Sequence, residues 1–170
     1  KDSNLLWKYM KQAHHDLDIA ADGRIYAMLH TIVTSPWPGL ERIETPFVDD
    51  QIVVLSSDGE ELATVSVMEA IQNSKYQSLL MYASLGQRKG DLLHVNSITW
   101  LDEAMASALP NAVEGDVLIS LRNLDVLAVL DIEKRVIKWA VRGPWRLQHD
   151  PDVLANGRLL LFDNRGDMKN

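Results

Sequence analysis

His15-Asp16-Leu17-Asp18-Ile19 runs to Gly23 and then into Arg24-Ile25-Tyr26-Ala27-Met28-Leu29-His30, and this stretch decides the fold. Polar and apolar residues alternate before the glycine, a half-buried strand pattern. An apolar run follows it, so the pair reads as a hairpin closed by a glycine turn. The pattern recurs. His94-Val95-Asn96-Ser97-Ile98 leads to Gly115 and Asp116-Val117-Leu118-Ile119-Ser120-Leu121-Arg122. His149-Asp150-Pro151-Asp152-Val153 leads to Gly157 and Arg158-Leu159-Leu160-Leu161-Phe162-Asp163-Asn164. In each copy a histidine stands four positions before a β-branched residue, and a polar side chain (His30, Arg122 or Asn164) stands seven positions past the glycine.

Further strand pairs lie between the copies. Gln51 to Leu55, the turn Ser57-Asp58-Gly59 and Leu62 to Val67 carry a hairpin signature. Val126 to Leu130 and Val136 to Val141, joined through Asp131-Ile132-Glu133-Lys134, carry another. Leu6-Trp7-Lys8-Tyr9 and Ile137-Lys138-Trp139-Ala140-Val141 read as outer strands flanking the histidine strands. Each unit therefore predicts four antiparallel strands, and such sheets arranged radially make an all-β propeller. Units of roughly 40–50 residues give about three to four blades in this chain, fewer than a closed propeller usually has. Both ends fall within a unit, so residues 1–170 read as a single segment of a larger propeller, with an oligomer that completes the ring as the other solution. The chain begins at Lys1 rather than Met, which points to sequence upstream. The second copy holds an insert, Leu101 to Glu114, whose Ala, Met and Leu content suits a short helix or lid. Ser66 to Tyr82, near the loop of Gly86, Lys89 and Gly90, reads equally as helix or irregular chain.

Composition narrows the function. The net charge of -7 excludes the basic surface that nonspecific nucleic-acid binding needs. The absence of cysteine removes disulfides, thiolate catalysis and Cys-based zinc sites. No apolar run approaches the roughly 20 residues of a membrane helix.

Strands nearest a propeller axis line one funnel, so His15, His94 and His149 are expected to converge, with His30, Arg122 and Asn164 on the neighbouring strands. Strand alternation selects His15 over His14 as the inward residue and puts His14 on the other face unless a bulge intervenes. The same alternation puts Asn96 on the face of His94, as an extra donor. Imidazole plus guanidinium suits transfer of an oxyanion group such as sulfuryl. A neutral ring nitrogen attacks the sulfur, and the cationic fork and amide donors hold its oxygens. Other readings stand beside it. The histidines can hydrogen-bond between blades in a non-catalytic ligand-binding or scaffold propeller, or three of them can hold a zinc-like metal, which the adjacent guanidinium opposes. Asp16, Asp18, Asp150 and Asp152 read as turn or inter-blade hydrogen-bonding groups, one of which could orient a histidine. Trp7 and Trp139 read as packing, whereas Trp37 and Trp145 sit on loops where they could stack on an aromatic substrate.

At His14-His15-Asp16-Leu17-Asp18, His94-Val95-Asn96-Ser97-Ile98, Ser120-Leu121-Arg122, Gln148-His149-Asp150 and Leu161-Phe162-Asp163-Asn164 the sequence resembles the bacterial arylsulfate sulfotransferases, a propeller family. The resemblance runs from about Trp7 to Gly166 and is weakest in the insert and from Pro36 to Asp50. It implies ping-pong transfer of sulfuryl from an aryl sulfate ester to a phenol, with no cofactor and without 3′-phosphoadenosine 5′-phosphosulfate. It implies that His149 is the transiently sulfurylated residue and that His94, Asn96 and Arg122 hold the sulfuryl group. One of His14 and His15 is then a further active-site histidine. It also implies a periplasmic or cell-envelope location. The chain departs from the family in length, in having no cysteine pair, and in lacking a separate N-terminal β domain.

Overall fold

The computed structural model describes residues 4–85 and 90–167. The fold is all-β, with ten strands and three short α-helices among these residues. The first sheet has the order β1 (Ala13–Ile19), β2 (Ile25–Val33), β3 (Phe47–Leu55), β4 (Glu61–Ser66), with every neighbouring pair antiparallel. The second repeats that order with β5 (Val95–Trp100), β6 (Val117–Leu121), β7 (Val126–Asp131) and β8 (Val136–Arg142). A hairpin of β9 (His149–Val153) and β10 (Leu159–Phe162) forms the third. The described residues thus form two complete four-stranded blades and the opening hairpin of another.

The blades stack face to face, which explains why the middle strands read as unbroken apolar runs. Tyr26, Met28, Ile52 and Val54 of the first sheet pack against Ile98, Val117, Ile119 and Ala128 of the second. The opposite face of the second sheet, through Leu118, Leu127 and Val129, packs against Val153, Leu159 and Leu161 of the third. Strands β6 and β7 are covered on both faces and buried along their whole length. Strand β1 alternates between half-buried and exposed residues instead.

The first strands of the blades lie side by side and are stitched by side chains. Asp16 and Asp18 on β1 accept from the backbone N–H groups of Ile98 and Trp100 on β5, at 3.0 and 2.7 Å. Thr99 donates to the Pro151 carbonyl at 3.3 Å, and Asn96 donates to the Gln148 carbonyl at 2.9 Å. These bonds satisfy strand groups that no ladder partner reaches.

Helix α1 (Val67–Gln72) starts at Ser66, whose hydroxyl accepts from the Glu69 N–H at 3.1 Å and donates to Asp49 at 2.6 Å. Its Met68 and Ile71 plug the core between the first two blades. Helix α2 (Ser78–Leu85) follows. The span from Ser66 to Tyr82 is therefore two helices broken at residues 73–77. The loop residues Gly86 and Lys89 lie outside the described residues. Helix α3 (Glu103–Ser107), capped by Asp102, lies in the insert. Leu101, Ala106 and Leu109 are buried against Leu118, at the end of β5 away from His94. The insert is thus a docked element and not a lid over the histidines. Residues 4–10 are not a strand. Trp7 instead lies across the β3–β4 turn, donating to the Ser57 carbonyl at 3.0 Å. A Cβ on Gly59 would come within 2.7 Å of its ring, so this turn has room only for glycine.

Candidate functional site

Every histidine strand is irregular where it reaches the site. The ladder slips between Ala13 and Leu17 in β1, between Val95 and Ile98 in β5, and opposite Leu160–Phe162 in β9. His15, His94 and Asp150 adopt positive φ of 55°, 50° and 51° at or beside these slips. Bulges re-aim side chains in this way, and they break the simple two-residue alternation.

The bulge in β1 is the exception under which His14 and His15 need not face opposite sides. Their Nδ1 atoms lie 2.7 Å apart, so one ring donates and the other accepts. His14 also lies 4.9 Å, centroid to centroid, from His30 on β2, and His15 lies 5.1 Å from His94. His14 and His15 therefore both join the cluster. Burial is the largest cause that lowers the pKa of each, and the neighbouring imidazoles add to it. A backbone hydrogen bond with Leu29 opposes the shift of His14, and Asp91 opposes that of His15, on which His94, His149 and Arg122 act downward. His14 and His15 are thus biased toward the neutral form.

The repeat register also needs correction. Ile19, Trp100 and Val153 pair with Ile25, Val117 and Leu159, each two residues past its glycine. Four residues back from these stand His15, Asn96 and His149, so Asn96 occupies the position expected for His94. His94 reaches the cluster from the loop that enters β5. The other expected set keeps its common offset: Arg122 opens a 3₁₀ turn after β6, Asn164 opens one after β10, and His30 lies in β2.

Each member is held by its neighbours. His94 Nδ1 is 2.5 Å from a carboxylate oxygen of Asp91. The Arg122 backbone N–H donates to the His94 carbonyl at 3.2 Å, and its guanidinium donates to Asn123 at 3.2 Å. Asn123 in turn donates to the Asp91 carbonyl at 2.7 Å. His149 Nδ1 is 3.0 Å from the Leu147 carbonyl, which also accepts from Asn164 at 2.9 Å. The Asn164 amide nitrogen also lies 3.1 Å from His149 Nδ1. Donation from Nδ1–H to the carbonyl leaves the lone pair on Nε2, whereas donation from Asn164 to Nδ1 puts the proton on Nε2, so the two contacts compete for one ring nitrogen. Asn96 spends one amide hydrogen on the Gln148 carbonyl, and its buried oxygen has no partner. Its first role is therefore to fasten β5 to β9.

Three contributors carried no local sequence signal. Asp50 on β3 stands opposite His30, accepts from the Val95 N–H at 3.2 Å, and faces His14 Nε2 at 3.9 Å. Burial pushes its carboxyl up to about 7. Gln148 is fully buried and donates to Ser120 and to the Val126 carbonyl, anchoring the chain just before His149. Asp125 accepts from the Leu147 N–H at 2.9 Å and pairs with Arg146 at 3.1 Å, which fixes the approach to the same histidine.

The tryptophans are structural. Trp37 donates to Gln72 at 2.7 Å and packs near Phe47, and Trp145 donates to the Asp125 carbonyl at 3.0 Å beside the second cluster. Both are committed to the scaffold and not poised for stacking on a substrate. A cavity of about 340 Å³ borders the site through Leu92, Asn123 and Leu147, with Tyr82, Arg142 and Arg146 on its far walls. A larger one of about 640 Å³ opens at the opposite end of the blades, beside Trp100 and Asp116. Among the described residues no group of three or more His, Asp or Glu side chains has the geometry to hold a metal ion. No helix among them is long and apolar enough to cross a membrane.

Comparison with known families gives one match: the family described as Arylsulfotransferase (ASST), over residues 3–170. No curated protein and no solved structure matches the chain.

Proposed function

Because the chain belongs to the arylsulfotransferase family, we propose that its histidine cluster transfers a sulfuryl group from an aryl sulfate ester to a phenolic acceptor, with His149 as the carrier. The supporting observation is the Leu147 carbonyl 3.0 Å from His149 Nδ1: when the ring donates to it, and Asn164 donates to that carbonyl and not to the ring, the Nε2 lone pair is available. In the first half-reaction that lone pair forms an N–S bond while the S–O bond to the aryl group breaks, and the electrons leave on the phenolate. In the second, the acceptor oxygen forms a new O–S bond and the N–S electrons return to Nε2. Covalent relay divides one difficult displacement into two easier ones.

Arg122 supplies a planar fork for the sulfuryl oxygens, where charge shifts in the transition state. His94, aligned by Asp91, and the remaining amide hydrogen of Asn96 are further donors. Asn164 braces the Leu147 carbonyl and stands beside His149 Nδ1, and His15 stands as the acid and base for the phenolic oxygens. His14 and His30 line the cluster behind it. No nucleotide donor or metal enters this scheme. A periplasmic or cell-envelope setting rests on the family alone, as does completion of the ring by further blades or by a second copy.

The test is intact-mass analysis of the full-length protein after incubation with a nitrophenyl sulfate, together with phenol release. Wild type is expected to gain one sulfuryl group. His149→Ala is expected to lose the adduct and to fall on the order of 10²-fold or more in turnover. Binding of the ester with neither adduct nor release would make the protein a non-catalytic binder, and an unaltered His149→Ala variant would remove His149 as carrier.

A further inference from the structure

A buried carboxyl group stands at the back of the histidine cluster, in line with two rings. Asp50 Oδ1 lies 3.9 Å from His14 Nε2, an atom that is buried and has no hydrogen-bond partner. His14 Nδ1 lies 2.7 Å from His15 Nδ1. The second oxygen of Asp50 is held by the Val95 N–H at 3.2 Å, so the carboxyl is anchored to the neighbouring blade.

From this line of atoms we infer that Asp50 and His14 are positioning residues that form a proton relay behind His15 and serve the phenolic oxygens of both half-reactions. The inference rests on the transfer reading above. An Nδ1–Nδ1 contact admits two tautomer pairs. In only one of them does His14 carry a proton on Nε2, facing the Asp50 carboxylate. His14 Nδ1 then accepts from His15 Nδ1–H, and His15 presents its Nε2 lone pair as the base. With Asp50 ionised that pair is the stable one, because the alternative leaves two acceptors facing each other. With Asp50 protonated its O–H faces the Nε2 lone pair and the other pair is stable, so the two pairs are the two ends of the relay.

The proton balance closes over one cycle. When the acceptor phenol attacks the sulfuryl group on His149, its O–H proton passes to His15 Nε2. The His15 Nδ1 proton passes to His14 Nδ1, and the His14 Nε2 proton passes to Asp50. In the next cycle the same transfers run backwards and protonate the departing phenolate. The 3.9 Å gap is wider than a hydrogen bond, as catalytic contacts often are before substrate binds.

The surroundings suit storage of a proton on Asp50. Its carboxyl is raised chiefly by burial and further by Asp91 and Asp49, while His94 opposes the shift. His30 stands across the ladder from it. His14 is faced by His15, His30 and His94, and His15 by His94, His149, Asp91 and Arg122.

The experiment separates the half-reactions in the full-length protein. Adduct formation is timed with 4-nitrophenyl sulfate, whose leaving phenolate needs little help from an acid. Discharge of the adduct is timed with phenol, from pH 6 to a pH at which phenol is ionised. Asp50→Asn and His14→Gln are each expected to slow discharge at neutral pH by roughly 10-fold to 10²-fold. That loss should exceed any loss in adduct formation by about tenfold and vanish once the acceptor is phenolate. Equal losses in both half-reactions, or a loss that does not change with pH, would overturn the relay while leaving His149 as carrier. Absence of an adduct in wild type would overturn both readings. If Asp50→Asn does not fold, His14→Gln, altered at a ring that no ladder bond depends on, carries the same test.

Discussion

At the scale of single residues, the proposed site rests on constrained ring contacts and directions. His149 is fixed through one backbone carbonyl, His94 through Asp91, and the His14–His15 pair through each other. Arg122 is the one permanent cation among them, and its value lies in its shape as much as its charge. Lysine keeps the charge but loses the planar fork. Arg122→Lys is therefore expected to lower kcat/KM for aryl sulfate by roughly 10-fold to 10²-fold, with an unchanged unfolding midpoint. Steady-state kinetics beside a denaturant curve check this, and an activity within twofold of wild type would mean that charge alone suffices.

At the scale of elements, β1 does two jobs with alternate residues. Its histidines bulge into the cluster, while Asp16 and Asp18 grip the backbone of β5. Removing one of these carboxylates strands an N–H between blades. Asp18→Ala is expected to cost about 1–3 kcal/mol, because a donor left unpaired out of water loses its full solvation. Urea unfolding checks it, and a change under about 0.3 kcal/mol would mean that water replaces the carboxylate. Strand β9 leans on the same logic in reverse: the Gln148 carbonyl just before it and its own Pro151 carbonyl receive the side chains of β5.

At the scale of the whole molecule, the buried ionisable groups set how stability responds to pH. His14 and His15 have folded pKa values below their unfolded ones, so they withdraw stability as pH falls through about 6.5 and lower. Asp50 acts oppositely. Its folded value of about 7 lies above the model-compound 3.8, so the folded state holds an extra proton between them and loses stability as pH rises across that window. Asp50→Asn removes only this second slope. The melting temperature of that variant, relative to wild type, is expected to be higher at pH 8 than at pH 4.5. Parallel melting curves across that range would show that Asp50 does not titrate there.

Much of the fold was legible without coordinates, because glycine turns, apolar runs and two-residue alternation are local facts. They determined the hairpins, the all-β class and the common offset of His30, Arg122 and Asn164 past their glycines. The same local reasoning failed at the bulges. Two extra residues between Ala13 and Leu17 in β1, and one between Val95 and Ile98 in β5, break the alternation, and only the ladder shows where they lie. So the exception left open for His14, a bulge in its strand, is the case that holds, and His94 was given the register position that Asn96 holds. Asp50, Asp125 and Gln148 gave no signal because their partners stand on other strands, between 22 and 45 residues away along the chain for the bonds Gln148–Val126 and Asp50–Val95. Trp37 and Trp145 looked free on their loops, and only packing showed them bound. The sequence by itself determined which residue types the first strand of each blade brings forward. The tertiary structure decided which of them touch and which groups meet His149 Nδ1, because both depend on residues that folding brings near.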